Sequence, residues 1–131
     1  RETIAMCEEA AGGEVTICIE NTGIYALSFI QEAVELFLQS PLFGLTFDIG
    51  HDHSAEGVDK PLLLKHKDRL RHFHIHDALG RKNHMVLGTG ELDLPWYIAL
   101  AEQNSCRAVL EVKTAQALRE SAEWLRERQF I

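Results

Sequence analysis

The chain is short of the residues that staple a fold, anchor it in a bilayer or attract polyanions. Its 131 residues include only three cysteines, Cys7, Cys18 and Cys106, an odd number with no CxxC spacing. They read as reduced, mostly buried thiols and exclude a disulfide framework. No apolar run approaches the roughly 18 to 20 residues that span a bilayer, and the opening Arg-Glu-Thr-Ile-Ala-Met-Cys-Glu-Glu contains no signal-peptide core. The expectation is a cytoplasmic chain with no membrane partner. Positive charge is scarce: 13 Lys and Arg stand against 20 Asp and Glu, a net charge of −7. That argues against nucleic acid as a partner, because duplex affinity comes from cations neutralising phosphates. Apolar residues, at 46%, are plentiful enough for one globular domain with its own core and exclude disorder.

Four acidic or histidine side chains each end a short apolar run with the character of a β-strand. The runs are Val15-Thr-Ile-Cys-Ile-Glu20, Phe43-Gly-Leu-Thr-Phe-Asp48, His72-Phe-His74-Ile-His76 and Arg107-Ala-Val-Leu-Glu111. Side chains alternate between the faces of a strand. Thr16, Cys18 and Glu20 therefore share one face, as do Gly44, Thr46 and Asp48, and as do His72, His74 and His76; the other face is apolar. Glu20, Asp48, His74 and Glu111 would converge as an oxygen- and nitrogen-rich donor set suited to a divalent metal. An ionised carboxylate ending an apolar strand is costly unless it is paired, with Lys113 or Arg81 for instance, or bound to a metal.

Helical stretches separate these runs. The spacing of Ala26, Ile30, Ala33, Val34 and Phe37 predicts a helix over 25–39, stopped by Pro41. Asp59 with Pro61 opens a helix to about Leu70, and Asp93 with Pro95 opens one to about Glu102. A last helix runs from about Ala115 to Arg128, and residues 1–11 read as a helix closed by Gly12-Gly13. The segment from Gly80 to Gly90 is expected to be a loop, as is the stretch holding His53. Strand and helix alternating four times imply parallel pairing with right-handed crossovers. An open doubly wound sheet would be apolar on both faces. One polar or small face suits the interior of a closed (β/α)₈ barrel, whose chemistry sits at the C-terminal ends of the strands. The fold class is thus α/β, with four of the eight units of a TIM barrel. A half-barrel leaves two strand edges unpaired, so residues 1–131 are expected to form the second half of a larger domain or to pair with another chain as a homo-oligomer.

The segments Ile19-Glu20-Asn21-Thr22-Gly23, Phe47-Asp48-Ile49-Gly50-His51, His72-Phe73-His74-Ile75-His76-Asp77, Leu87-Gly88-Thr89-Gly90-Glu91 and Val109-Leu110-Glu111 carry a resemblance. In this order they resemble the xylose isomerase-like TIM barrels, which include sugar phosphate isomerases and epimerases and the family 2 AP endonucleases. The likeness covers essentially the whole chain, from the fifth strand of such a barrel to its eighth helix. It implies that Glu20, Asp48, His74 and Glu111 hold one divalent metal (Mn, Mg, Co or Zn). Glu20 and Glu111 are implied to shuttle protons on opposite faces of a sugar or sugar phosphate through an enediolate.

The resemblance also implies that His51 binds substrate, and His84 matches a histidine of the endonucleases' additional zinc site. Lys82 stands where those enzymes have an aspartate ligand, which disfavours a further metal. Arg81, His84 and Lys113 complete the expected substrate contacts, and His76 and Asp77 are expected to orient His74. Gly88-Thr89-Gly90 reads either as a turn touching a substrate phosphate or hydroxyl or as a plain loop. The function expected is therefore a metal-dependent sugar or sugar-phosphate isomerase or epimerase. The alternatives are a metal-dependent phosphodiesterase of the AP endonuclease type and a non-catalytic half-barrel module.

Overall fold

In a computed structural model, which describes residues 1–13 and 15–131, the four apolar runs become one parallel sheet. Along the chain the elements are α1 (Glu2–Ala11), β1 (Ile17–Glu20), α2 (Ser28–Phe37), β2 (Phe43–Asp48), α3 (Ile49–Ser54), α4 (Lys60–Lys65), a 3₁₀ turn (Lys67–Arg69), β3 (Leu70–Ile75), β4 (Asp77–Leu79), β5 (Lys82–Met85), α5 (Leu94–Gln103), β6 (Arg107–Leu110) and α6 (Ala115–Glu127). The sheet order is β1-β2-β3-β6, and β4 with β5 forms a separate antiparallel hairpin. All three pairings in the large sheet are parallel. Among the described residues, no helix is long and apolar enough to cross a membrane.

The apolar strand face meets the helices. Leu45, Phe47, Leu70, Phe73 and Ile75 join Val34, Leu38, Leu63, Tyr97, Leu100 and Leu125 in one buried cluster. Phe47 packs at 5.4 Å from Phe73 and edge-on to Tyr97 at 5.5 Å, a geometry aromatic pairs favour. Leu70 and Phe73 both reach this core although an odd spacing should put them on opposite faces. The register explains it: Leu45 pairs with Leu70 and Thr46 with His72, so Arg71 is an extra residue. Gly44 makes room for it, since a Cβ there would lie 2.7 Å from Arg71 Cγ. The same offset sets His72 and His74 opposite Thr46 and Asp48.

The helices differ from expectation where backbone groups are claimed elsewhere. The helix expected from Tyr25 starts at Ser28; in the turn before it, Gly23 N–H and Tyr25 N–H donate to the Asp59 carboxylate at 2.6 and 2.8 Å. The helix expected over 59–70 stops at Lys65. Arg69 lies beyond it in the 3₁₀ turn and donates its guanidinium to the carbonyls of Leu38, Ser40 and Phe43, while Leu70 is already the first residue of β3. The last two helices begin as expected on Asp93, whose side chain accepts from Trp96 N–H, and on Thr114, which accepts from Ala117 N–H. Three elements, α3, β4 and β5, were not expected. His53 lies in α3 and not in a loop, and the span from Gly80 to Gly90 contains most of a hairpin.

Asp52 ties α3 to α4. It is fully buried, and its Oδ1 accepts from the N–H groups of Asp59 and Lys60 at 3.1 and 2.9 Å. Burial pushes its carboxyl above the usual range despite those bonds. For an acid raised in the folded state, the unfolded chain ionises first, so stability falls as the pH rises from the unfolded value through the folded one. Asp52→Asn keeps the Oδ1 acceptor and removes the titration. Urea unfolding at a series of pH values upward from about 4, near the unfolded aspartate value, should show that decline in the parent and a shallower one in the variant.

Candidate metal centre

Register places the polar strand ends in a row. Glu20 pairs with Thr46, two residues before Asp48 on β2, Asp48 is opposite His74, and Glu111 follows Leu110, the partner of Ile75. The backbone N–H of Glu111 continues the ladder to Ile75 O at 3.0 Å. The outer strands of a flat row would stand about three strand spacings, roughly 14 Å, apart. Long glutamates on β1 and β6 and a short aspartate on β2 close that gap. Ligand-type atoms of Glu20, Asp48, His74 and Glu111 all lie within 4.8 Å of one another.

His74 Nδ1 stands at the middle of the group, 3.4 Å from Glu20 Oε1, 3.5 Å from Asp48 Oδ2 and 2.8 Å from Glu111 Oε2. His51, projecting from α3, brings its Nδ1 to 3.5 Å from Glu20 Oε1 and 3.3 Å from Asp48 Oδ2. Despite these approaches, His74 Nδ1, His51 Nδ1 and Glu111 Oε2 are buried atoms without a hydrogen bond of good geometry. Buried polar atoms are ordinarily satisfied. Charge adds to the tension. Three carboxylates held this close repel one another, and solvent at the partly exposed Glu20 and Glu111 screens that repulsion. Among the described residues no lysine or arginine supplies the counter-charge: the cluster's ion-pair partners are histidines. Hard oxygens with imidazole, short of hydrogen bonds and of positive charge, fit a divalent cation of the Mn, Mg, Co or Zn kind.

Asp48 is fully buried. Burial raises its carboxyl, but the His76 ring and His51 N–H hydrogen-bond to it and their pull prevails, holding it below the usual range. His76 and Asp77 do not orient His74 as expected. His76, two residues past the Asp48–His74 pair, brings its Nε2 to 3.1 Å from Asp48 Oδ1. Asp77 accepts the backbone N–H groups of Ala78, Gly88, Gly90 and Leu92. The Gly88-Thr89-Gly90 turn therefore spends its glycine N–H groups on Asp77, as part of a loop held from inside the protein.

Of the expected substrate contacts, the structure brings His51 and His84 to the cluster. His84 Nδ1 lies 3.0 Å from the backbone oxygen of Glu111. Arg81 is exposed at the hairpin turn, lining a groove with Asp52, His53 and Glu56, and Lys113 is exposed beyond Glu111; among the described residues neither forms an ion pair with the four carboxylate and imidazole ends. His53 pairs with Glu91 at 2.9 Å. His76, His84 and Glu111 make a second group of ligand-type atoms within 4.8 Å, but both ring nitrogens of His76 are already engaged, by Asp48 and by His84 N–H.

Asn21 had been given no role, yet it joins the ends of β1 and β2. Its amide donates to Asp48 O at 3.0 Å and accepts from Asp48 N–H at 2.7 Å, while Asp59 holds it at 3.0 Å. The signal available in the sequence was an asparagine directly after a strand-ending glutamate.

Comparison with known proteins decides the family. The family model described as xylose isomerase-like TIM barrel matches residues 1–128. The chain belongs to the xylose isomerase-like TIM barrel family. Its parallel sheet of four strands with intervening helices is a partial barrel of that fold. Among solved structures the chain is similar to 3-keto-D-glucoside 4-epimerase, YcjR, from E. coli in its apo form, with a TM-score of 0.66 and 18% identity over 96% of this chain. It spans about half of that protein, 51% of its length. A comparison with curated proteins gave no match.

Proposed function

We propose that this chain carries the metal-binding half of a sugar or sugar-phosphate isomerase or epimerase. The observation that carries the reading is the convergence of Glu20, Asp48, His74 and Glu111, with buried atoms lacking hydrogen bonds and no lysine or arginine among them. Those four residues would hold one divalent cation, with Mn or Mg favoured by the oxygen majority. A cation there supplies Lewis acidity that eases removal of a proton next to a carbonyl.

Glu20 and Glu111 stand on the two outer strands of the row, so they approach a bound sugar from opposite walls. Each keeps partial exposure, with side chains 35% and 42% accessible, while Asp48 is sealed. The accessible pair is the one able to exchange protons with a substrate, and the sealed carboxylate is the one suited to holding. His51 and His84, at the same mouth, would orient substrate oxygens. Support for sugar chemistry comes from the family and from its likeness to an epimerase, while the scarcity of cations weighs against a phosphodiester chain as substrate.

Glu111→Gln tests the assignment. An amide oxygen still donates a lone pair but carries no proton. In protein completed to a whole barrel, deuterium incorporation from solvent into a bound ketose should fall by about 10²–10⁴-fold, the usual size of a lost acid–base group, while Mn²⁺ content stays near the parent's. Exchange at the parental rate would remove Glu111 from proton transfer.

A further inference from the structure

His76 is completely buried, yet the metal-site reading leaves it outside the ligand set. Its Nδ1 accepts the backbone N–H of His84 at 2.9 Å, while the Asp77 carbonyl oxygen, the other group near that nitrogen, stands off at 3.5 Å. A backbone N–H can only donate, so Nδ1 carries the lone pair and the neutral ring holds its proton on Nε2. That proton faces Asp48 Oδ1 at 3.1 Å, with a longer approach of 3.4 Å to Oδ2.

The surroundings clamp the ring in this pose. His84 presents its N–H from a left-handed conformation, φ 54°, which a non-glycine residue adopts only at some cost in energy. Its imidazole stacks on His76 with centroids 4.3 Å apart and planes at 24°. Across the ring, a Cβ on Gly50 would fall 2.0 Å from His76 Cε1, so the imidazole occupies the space that a side chain there would need.

Asp48 shows the consequence. Its Oδ1 receives two donors, His76 Nε2–H and His51 N–H at 2.7 Å. Oδ2 is the oxygen nearer the centre, 3.3 Å from His51 Nδ1 and 3.5 Å from His74 Nδ1. We propose that the β4–β5 hairpin acts through His76 as a positioning device for Asp48, fixing Oδ1 and leaving Oδ2 toward the centre formed with Glu20, His74 and Glu111, where a cation would be held. The proposal rests on the metal-binding reading above. It makes His76 a positioning residue, and it gives the hairpin, which lies between β3 and α5 along the chain, a reason to lie against α3.

Two measurements on the chain test it. The first reads the imidazole nitrogen shifts of ¹⁵N-labelled, metal-free protein at neutral pH, where His76 should show a protonated Nε2 and a bare Nδ1. The second titrates Mn²⁺ by electron paramagnetic resonance into the parent, His76→Gln and His76→Phe, with circular dichroism to confirm folding. His76→Gln, whose amide can still donate to Asp48, should bind Mn²⁺ much as the parent does. His76→Phe should bind about 10–100-fold more weakly, the usual cost of losing a group that orients a metal ligand. A proton on Nδ1, or a folded His76→Phe that binds like the parent, overturns the proposal. The tautomer is read in the parent, so it decides even where His76→Phe does not fold. A parent that binds no Mn²⁺ would instead overturn the metal reading, and the metal-free tautomer would still decide whether His76 holds Asp48.

Discussion

His74→Ala should reduce bound divalent metal from one equivalent to almost none. His74 is the only imidazole of the four-residue set, and its Nδ1 lies within 3.5 Å of an oxygen from each of Glu20, Asp48 and Glu111. Removing it takes away one ligand and leaves three carboxylates facing each other across an opened space. Loss of a group that merely orients a ligand costs about 10–100-fold in affinity, so loss of the ligand itself should exceed that range. The fold should survive: His74 is partly exposed and its strand neighbours Phe73 and Ile75 supply the core contacts. Elemental analysis of dialysed protein reads the outcome directly, with circular dichroism as the folding control. One equivalent of metal retained by a folded variant would sink the ligand assignment and the functional reading with it.

Residue parity carried much of the site because it is local. Alternation along a strand says which side chains share a face whatever the sheet does, so Glu20, Asp48 and His74 could be grouped before any pairing was known. Register is not local. The extra residue at Arg71, which lets Leu70 and Phe73 both reach the core, depends on Gly44 lying across from it on another strand. The hairpin escaped for a related reason: Asp77-Ala78-Leu79 and Lys82-Asn83-His84-Met85 are too short and too polar to read as strands, and Asp77 and Glu91 organise them through contacts to backbone N–H groups far along the chain. His76 was placed on the correct face by parity, but its partner is Asp48 and not His74, because the choice between them turns on where His84 N–H lies. Arg81 and Lys113, expected to contact substrate, are exposed and among the described residues form no ion pair with the carboxylates.

The chain studied alone should not behave as a well-packed monomer. β1 and β6 are the outer strands of the sheet, and each presents backbone groups without a ladder partner, a standing template for association. Side chains tell the same story at both edges: Ile17 and Phe29 are exposed on one side and Val109 and Leu118 on the other. Beside β6 an apolar groove of about 350 Å³ opens between α5 and α6, lined by Ile98, Cys106, Val109, Leu125 and Phe130. Apolar side chains exposed along an unpaired sheet edge mark an interaction face. Because all four strands are parallel, two copies related by a two-fold axis along the strands could join β6 of each to β1 of the other, closing eight strands without reversing any. A complementary half-barrel, of the size by which the E. coli epimerase exceeds this chain, would cover the same edges. Light scattering and native mass spectrometry on the 131-residue chain should therefore show dimers or larger species, and adding a complementary half should displace them. A monomer with a cooperative thermal transition would mean that the strand edges are satisfied from within, and the open-edge argument would fall.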